Sequence, residues 1–392
     1  MTYSINPHVL RALEPPTKET STWRASGEHN PDLSLLDASQ AVPNYPPADE
    51  LIEHLSQQVR IPQTAVYTPI LGIAELREAL AQSLSHGYGA DITAAQIAIT
   101  SGGNHAYCMA MLALAGPGDD VILVEPFYFN HQMWFDMQGI NTKLLPCHET
   151  AAGLLPDIDE ARALVGDKTR AIVLVSPNNP TGTIYSPEHL AAFHELAKQT
   201  GTALVVDETY KDFLPGTESP HHLFRDPEWQ ETFVFLYSFS KVYSLTGYRV
   251  GALAGGPRFI EAISKIADTM TICAPHIGQV AALFGLRNLT DWADEKRRQL
   301  NGRLGILKDA FARQQPDFKL VSSGAFFGYL AHPFEGRNSL EISYRLFKEV
   351  SILTWPGSFF GPHQDRYIRL AFANSEPDDI EDMVQRIATI RS

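Results

Sequence analysis

The chain has 392 residues, 44% of them hydrophobic and 19% charged, with a formal net charge of −14. That length and balance allow a large core shared between two or three lobes, while the acidic surface and the lack of any basic run argue against a nucleic-acid partner. Only Cys108, Cys147 and Cys273 occur, an odd and sparse set that fits a reducing compartment better than a disulfide scaffold.

The chain opens polar, Met1-Thr2-Tyr3-Ser4-Ile5-Asn6-Pro7, and breaks at Pro7. No apolar run of about 18 residues follows, so neither a signal peptide nor a membrane span is expected, and a cytoplasmic protein is the default. Residues 1–47 hold Pro15, Pro16, Pro43, Pro46 and Pro47 with few periodic apolar positions, which predicts an arm wrapped over another surface. No internal repeat or low-complexity run is evident.

Beyond the arm, strand signals alternate with helix signals between about residues 95 and 255, the pattern of a parallel or mostly parallel sheet flanked by helices. Ile97-Ala98-Ile99-Thr100 reads as a strand, Ser101-Gly102-Gly103-Asn104 as a glycine turn, and the Ala-, Met- and Leu-rich stretch after it as a helix. Backbone N–H groups at such a helix start form an anion site, although simple chain reversal explains a glycine turn as well. Val121-Ile122-Leu123-Val124 is a second strand, leading to Glu125-Pro126-Phe127-Tyr128; an aromatic there ordinarily packs in the core. Ala171–Val175 is a third, running into Ser176-Pro177-Asn178-Asn179-Pro180-Thr181-Gly182. Ser186 at the N-cap and Pro187 after it start a helix with Leu190, Ala191, Phe193 and Leu196 on its apolar face and Gly201 as its stop.

A fourth strand, Ala203-Leu204-Val205-Val206, ends in Asp207-Glu208-Thr209-Tyr210. A carboxylate after four apolar residues is mostly buried and needs a partner to stay ionised. A protonated heteroaromatic nitrogen is one such partner, with Tyr210 and Asn179 available to a ring phenolate oxygen; capping of a local turn is the plainer alternative for Asp207. Phe233–Tyr237 is a fifth strand, and it delivers Ser238-Phe239-Ser240-Lys241 to a strand's carboxyl end, where open α/β sheets place their ligands. Two hydroxyls and Arg249, eight residues downstream of the lysine, gather phosphate-binding chemistry around an amine. An amine whose pKa is lowered by burial or a neighbouring cation is a carbon nucleophile, which suits a Schiff base to a phosphorylated aldehyde. Near the end, Tyr367–Ala373 alternates like a strand and would turn Tyr367, Arg369 and Ala371 to one face. The Arg369 guanidinium there can take a carboxylate bidentately. Cys147-His148 and His221-His222 lack further ligands at fixed spacing and read as loop residues, so no metal site is expected.

Asn179-Pro180-Thr181-Gly182, Asp207 with Tyr210, Ser238-Phe239-Ser240-Lys241 and Gly247-Tyr248-Arg249-Val250-Gly251 together resemble the ordered signature of the class I/II aminotransferases, pyridoxal-5′-phosphate enzymes of fold type I. The resemblance extends to Tyr67-Thr68-Pro69-Ile70-Leu71-Gly72 and to nearly the whole chain. It implies an α/β fold with a large domain, its mostly parallel sheet flanked by helices, and a smaller α+β domain. Residues 1–47 would be an arm belonging partly to the small domain, 48–285 the large cofactor domain, and 286–392 the rest of the small domain, where Ser323-Gly324-Ala325-Phe326-Phe327 resembles a family strand start.

The resemblance also implies roles. Lys241 would carry pyridoxal 5′-phosphate and move the proton in catalysis, with Asp207 on the ring nitrogen, Tyr210 and Asn179 on the ring oxygen, and Tyr128 flat against the ring. Gly102, Gly103, Asn104, Ser238, Ser240 and Arg249 would hold the phosphate, joined by Tyr67 from a partner subunit, so that a homodimer with shared sites is implied. Arg369 would bind the substrate α-carboxylate, with Asn179 and Ala41 or Val42 near the substrate. The activity implied is amino transfer from an L-amino acid to a 2-oxo acid by a ping-pong route. Aspartate-specific relatives bring a cation to the side-chain carboxylate, whereas here Asn104 occupies one such position and Asp268–Ile272 the other, so a neutral or aromatic donor is expected; His105 lies in reach of the same region. A C–S β-lyase shares the same motifs. A non-catalytic effector-binding module is the remaining alternative, and it would need a DNA-binding domain for which the arm lacks helices and basic charge.

Overall fold

The computed structural model describes residues 3–391; Met1 and Thr2, at the head of the polar N-terminal stretch, and Ser392 lie outside the described residues. An eight-stranded sheet runs in the order Ile97–Thr100, Gly251–Ala254, Phe233–Ser238, Ala203–Asp207, Thr169–Val175, Asp120–Glu125, Asn141–Thr150, Gly153–Pro156. The five strands from Phe233–Ser238 through Asn141–Thr150 are mutually parallel. Gly251–Ala254 is antiparallel to both neighbours, and Gly153–Pro156 closes an antiparallel hairpin.

The inner strands are unbroken apolar runs because helices cover both faces. Ile122, Ile172, Leu204 and Phe235 pack into one layer, while Val121, Leu123, Val173, Val205 and Leu236 pack into the other. This is the period-two division of a strand between two cores. The helix Pro187–Thr200 begins on Ser186, whose side chain accepts from the His189 N–H, and stops at left-handed Gly201, φ 67°. Leu190, Phe193 and Leu196 are buried as expected, but Ala191 is exposed: His194 and Ala197 complete the buried stripe instead.

A second sheet of four strands, Lys319–Gly324, Phe327–Ala331, Tyr367–Ala371 and Trp355–Pro356, is antiparallel throughout. Its core takes in Leu36 and Ala38 of the arm, Leu307 and Phe311 of the long helix Thr290–Gln314, and Ile380 and Val384 of Pro377–Ile387. The arm is more structured than its sequence suggests, with helices at Pro7–Arg11 and Thr17–Ser26. Leu36–Asp37 then pairs with Ile352–Leu353. Trp23 packs with Phe347 and Leu353, and this contact supports the second helix.

Ser323–Phe327 spans a hairpin: Ser323 and Gly324 end one strand, Ala325, at φ 46°, and Phe326 form the turn, and Phe327 starts the next strand. That turn abuts the Asn179–Gly182 loop so closely that a Cβ on Gly182 would lie 2.3 Å from the Gly324 nitrogen, and Ser322 Oγ donates to the Thr181 carbonyl at 2.8 Å. Cys147 and His148 belong to a strand, and His221 is a buried partner of Glu208 at 2.6 Å. No cluster of metal-ligating side chains occurs among the described residues, and no helix among them is long and apolar enough to cross a membrane.

Candidate active site

Four parallel strands end side by side at Glu125, Val175, Asp207 and Ser238. The neighbouring antiparallel strand begins at that same end, with Gly251 opposite Ser238, which brings Arg249 to it. The end opens into a cavity of about 420 Å³ whose wall includes Ala41, Gly103, Asn104, Tyr128, Asn179, Asp207, Tyr210, Ser238, Ser240, Lys241, Arg249 and Arg369. Residues spread over some 330 positions thus converge, as expected for ligand sites in open α/β sheets.

Lys241 lies deep in the cavity. Burial, and then the charges of Arg369 and Arg249, push its amine down from 10.5 to about 8. Its Nζ donates to the Ala41 carbonyl at 2.6 Å, so Ala41 enters the site through its backbone. Asp207 Oδ1 accepts from the Thr209 N–H at 3.0 Å and its hydroxyl at 2.7 Å. Oδ2 stands 3.7 Å from His131 Nε2, and His131 stacks on Tyr107 with ring centroids 3.8 Å apart. One carboxylate oxygen is therefore pinned, and the other remains for a ligand donor.

The glycine turn forms a cradle. Gly102 has φ 94°, and a Cβ on it would lie 2.4 Å from Arg249 Nη2, so only glycine lets the guanidinium approach. Gly103 begins the helix Gly103–Leu114 facing Ser238, whose Cβ a methyl group there would meet at 3.2 Å. Arg249, itself left-handed at φ 51°, donates from Nη1 to the Thr246 carbonyl at 2.9 Å. No carboxylate among the described residues lies within ion-pair distance of it, which leaves its charge for an anion.

Arg369 is 1% exposed. Its strand does not alternate between solvent and core; every residue from Ile368 to Ala371 is buried, because the strand lies inside the four-stranded sheet with helices behind it and the cavity in front. Arg369 Nη1 donates to Asn179 Oδ1 at 3.0 Å, Nη2 donates to the Ser39 carbonyl, and Nε is buried without a partner. Burial lowers its pKa to about 10. Burial raises the phenols of Tyr210 and Tyr128, which therefore stay protonated donors.

Tyr67 is not in this cavity. It is 73% exposed and lines a separate hollow with Val66, Ser101 and His276. His105 does not line the cavity either: its Nδ1 accepts from the Ser101 N–H at 3.0 Å, so it braces the glycine turn. Sequence reasoning missed Thr209, His131, Ser39 and Trp355. Thr209, two residues after a buried aspartate, fits an Asx turn, a local signal; the other three are brought in by distant elements.

The lining fits a phosphorylated pyridine aldehyde: an amine of lowered pKa, a carboxylate with one open oxygen, two protonated phenols, and a cationic glycine-and-serine cradle. A sequence model of the family described as aminotransferase class I and II matches residues 35–387. The aspartate aminotransferase of Sulfolobus acidocaldarius is 28% identical over 370 residues, 91% of this chain and 90% of that one. An aromatic aminotransferase of Arabidopsis thaliana is 26% identical over 90% of this chain and 88% of its own. The aspartate aminotransferase structure of Thermotoga maritima superposes with a TM-score of 0.89 at 25% identity, covering 98% of this chain and 99% of that one. This chain therefore belongs to the class I and II aminotransferase family and is an enzyme, an aminotransferase of fold type I.

Proposed function

We propose that the protein binds pyridoxal 5′-phosphate on Lys241 and transfers the amino group of an L-amino acid, neutral or aromatic in preference to aspartate, to a 2-oxo acid in two half-reactions of a ping-pong cycle. The observation that carries the reading is the buried Lys241 amine, lowered to about 8, in one cavity with Asp207 and Arg369. When bound, the cofactor supplies an electron sink for negative charge at the substrate α-carbon.

The chain's residues do the rest. Arg249, Ser238, Ser240 and the N–H groups of the Gly102–Asn104 turn would hold the phosphate. The open oxygen of Asp207 would keep the ring nitrogen protonated, Asn179 and Tyr210 would serve the ring oxygen, and Tyr128 would supply an aromatic surface for the ring. Arg369, with Asn179 beside it, clamps the substrate carboxylate and so aims the α-hydrogen at Lys241, whose free amine takes and returns the proton.

The lining supports the donor preference. Its cations are Lys241, Arg249 and Arg369, each with a role already, and Phe129, Val42 and Trp355 supply apolar wall. We assign residues 1–47 to an arm, 48–285 to the cofactor domain and 286–392 to the smaller domain, and we place the enzyme in the cytoplasm. Tyr67 stands exposed beside Val66 and near Val59 in sequence, both also exposed; an apolar surface of this kind suits a two-fold partner whose phosphate Tyr67 would reach.

The test is the visible spectrum of the purified protein against a panel of single amino acids. Conversion of the lysine-bound cofactor band to that of the aminated cofactor, reversed by a 2-oxo acid, supports the reading and ranks donors. A persistent band with release of pyruvate and ammonia from cystathionine identifies a C–S lyase instead, and no band after adding the cofactor overturns the proposal.

A further inference from the structure

Arg369 is a buried cation with no anion within ion-pair distance among the described residues; what surrounds it is aromatic. Its guanidinium carbon lies 4.1 Å from the centre of the Trp355 ring, 5.0 Å from Phe327 and 5.1 Å from Phe360. Ring faces compensate a buried cation without neutralising it, so the charge remains available to an incoming carboxylate. Trp355 sits directly opposite Arg369 in the sheet register and also lines the cavity. There its ring meets Phe129 edge-on, with centroids 5.4 Å apart.

The indole is held at its far edge too. Its N–H donates to Thr20 Oγ1 at 3.3 Å, and Thr20 is buried on the arm helix Thr17–Ser26. Thr17, the first residue of that helix, and Pro15 reach the cavity wall themselves. The arm thus positions Trp355, which among the described residues is the ring that both lies over the Arg369 guanidinium and lines the cavity.

We propose that Trp355 is a specificity-determining residue: with Phe129 it forms the wall against which the apolar or aromatic side chain of a monocarboxylic substrate packs, and it excludes a second carboxylate. This rests on the assignment of Arg369 to the substrate carboxylate. A second carboxylate against that wall would lose its hydration beside aromatic rings that offer it no hydrogen-bond donor or free cation of its own. Thr20 is a positioning residue that keeps the indole in place.

The test uses the purified full-length protein and acids that carry neither an amino nor an oxo group: acetate, 3-phenylpropionate and succinate, titrated by calorimetry. Wild-type protein should bind 3-phenylpropionate at least about tenfold tighter than succinate. Trp355→Ala should weaken 3-phenylpropionate about tenfold and acetate less than about threefold, and Trp355→Phe should recover most of the loss. Equal weakening of acetate and 3-phenylpropionate would reduce Trp355 to a support for Arg369 and overturn the proposal, as would succinate binding as tightly as 3-phenylpropionate to the wild type. A protein with the expected binding pattern that aminates no 2-oxo acid would leave this inference standing and remove the aminotransferase cycle; an active transaminase with the opposite pattern would do the reverse.

Discussion

The Lys241 amine and the Ala41 carbonyl, 200 positions apart, are joined by a 2.6 Å hydrogen bond. The bond ties the arm to the amine, and burial is the largest cause of the amine's lowered pKa. At pH 7 an amine with a pKa near 8 is about one-tenth free base, against roughly 0.03% at its ordinary value. The rate of cofactor capture by cofactor-free protein should therefore climb with pH and level off above about pH 8. In Arg369→Gln, which removes the larger of the two neighbouring charges acting on Lys241, that midpoint should move upward, as read by stopped-flow absorbance.

The same shift carries a stability consequence. A lysine whose folded pKa lies below its unfolded value penalises the folded state; the penalty is full below the folded value of about 8 and fades as pH rises toward 10.5. Lys241→Met should raise the Tm of cofactor-free protein at pH 7 and raise it less at pH 10, while abolishing amino transfer. A Tm gain that grew with pH would contradict the assignment.

Thr209 fixes one oxygen of Asp207 with two bonds. Thr209→Val keeps the carboxylate charge and removes one of those bonds, so kcat should fall about tenfold. Asp207→Asn removes the charge and should cost about a thousandfold or more with the fold intact. Steady-state kinetics beside circular dichroism would check both; equal losses would mean that orientation, not charge, dominates.

On the proposed assignment Arg369 would meet the substrate carboxylate as a planar fork, for which Lys is not an equivalent. Arg369→Lys should lower kcat/KM for amino acids by about a hundredfold, mainly through KM, because two charge-assisted bonds become one. An unchanged KM would place the carboxylate elsewhere.

In the glycine cradle, Gly102→Ala adds a methyl group 2.4 Å from Arg249 Nη2. It should weaken cofactor binding about tenfold or more, measured by fluorescence titration, and also lower Tm, because φ 94° with ψ 168° is a backbone conformation open essentially to glycine alone.

Tyr67 tests the assembly. Sedimentation should find a two-fold dimer. Tyr67→Phe should weaken cofactor binding about threefold to tenfold in that dimer, the worth of one hydrogen bond to a charged group. A monomer with full activity would remove the shared-site reading.

Much was legible before the fold was known, because the signals are local. Apolar runs bounded by turn residues marked the inner strands, and Ser186, Pro187 and Gly201 marked a helix by its caps. The ordered motifs around Asn179, Asp207, Lys241 and Arg249 identified the family, and Lys241 and Asp207 stood out because a charged group after a buried strand needs a reason. The arm's helices were missed because contacts such as Trp23 with Phe347 and Leu353 stabilise them, whereas their own periodicity is weak.

The sequence by itself determined the class of fold and the family and singled out residues that line the cavity, since hydrophobic period, turn chemistry and motif order are written within short windows of chain. Only the tertiary structure decided that the Ala41 carbonyl caps Lys241, that Trp355 and not a carboxylate faces Arg369, that Thr20 holds Trp355, and that Tyr67 stands outside the cavity. Those pairings join residues up to 335 positions apart. They depend on how two sheets and an arm pack, a long-range balance of burial and hydrogen bonding that no local pattern encodes.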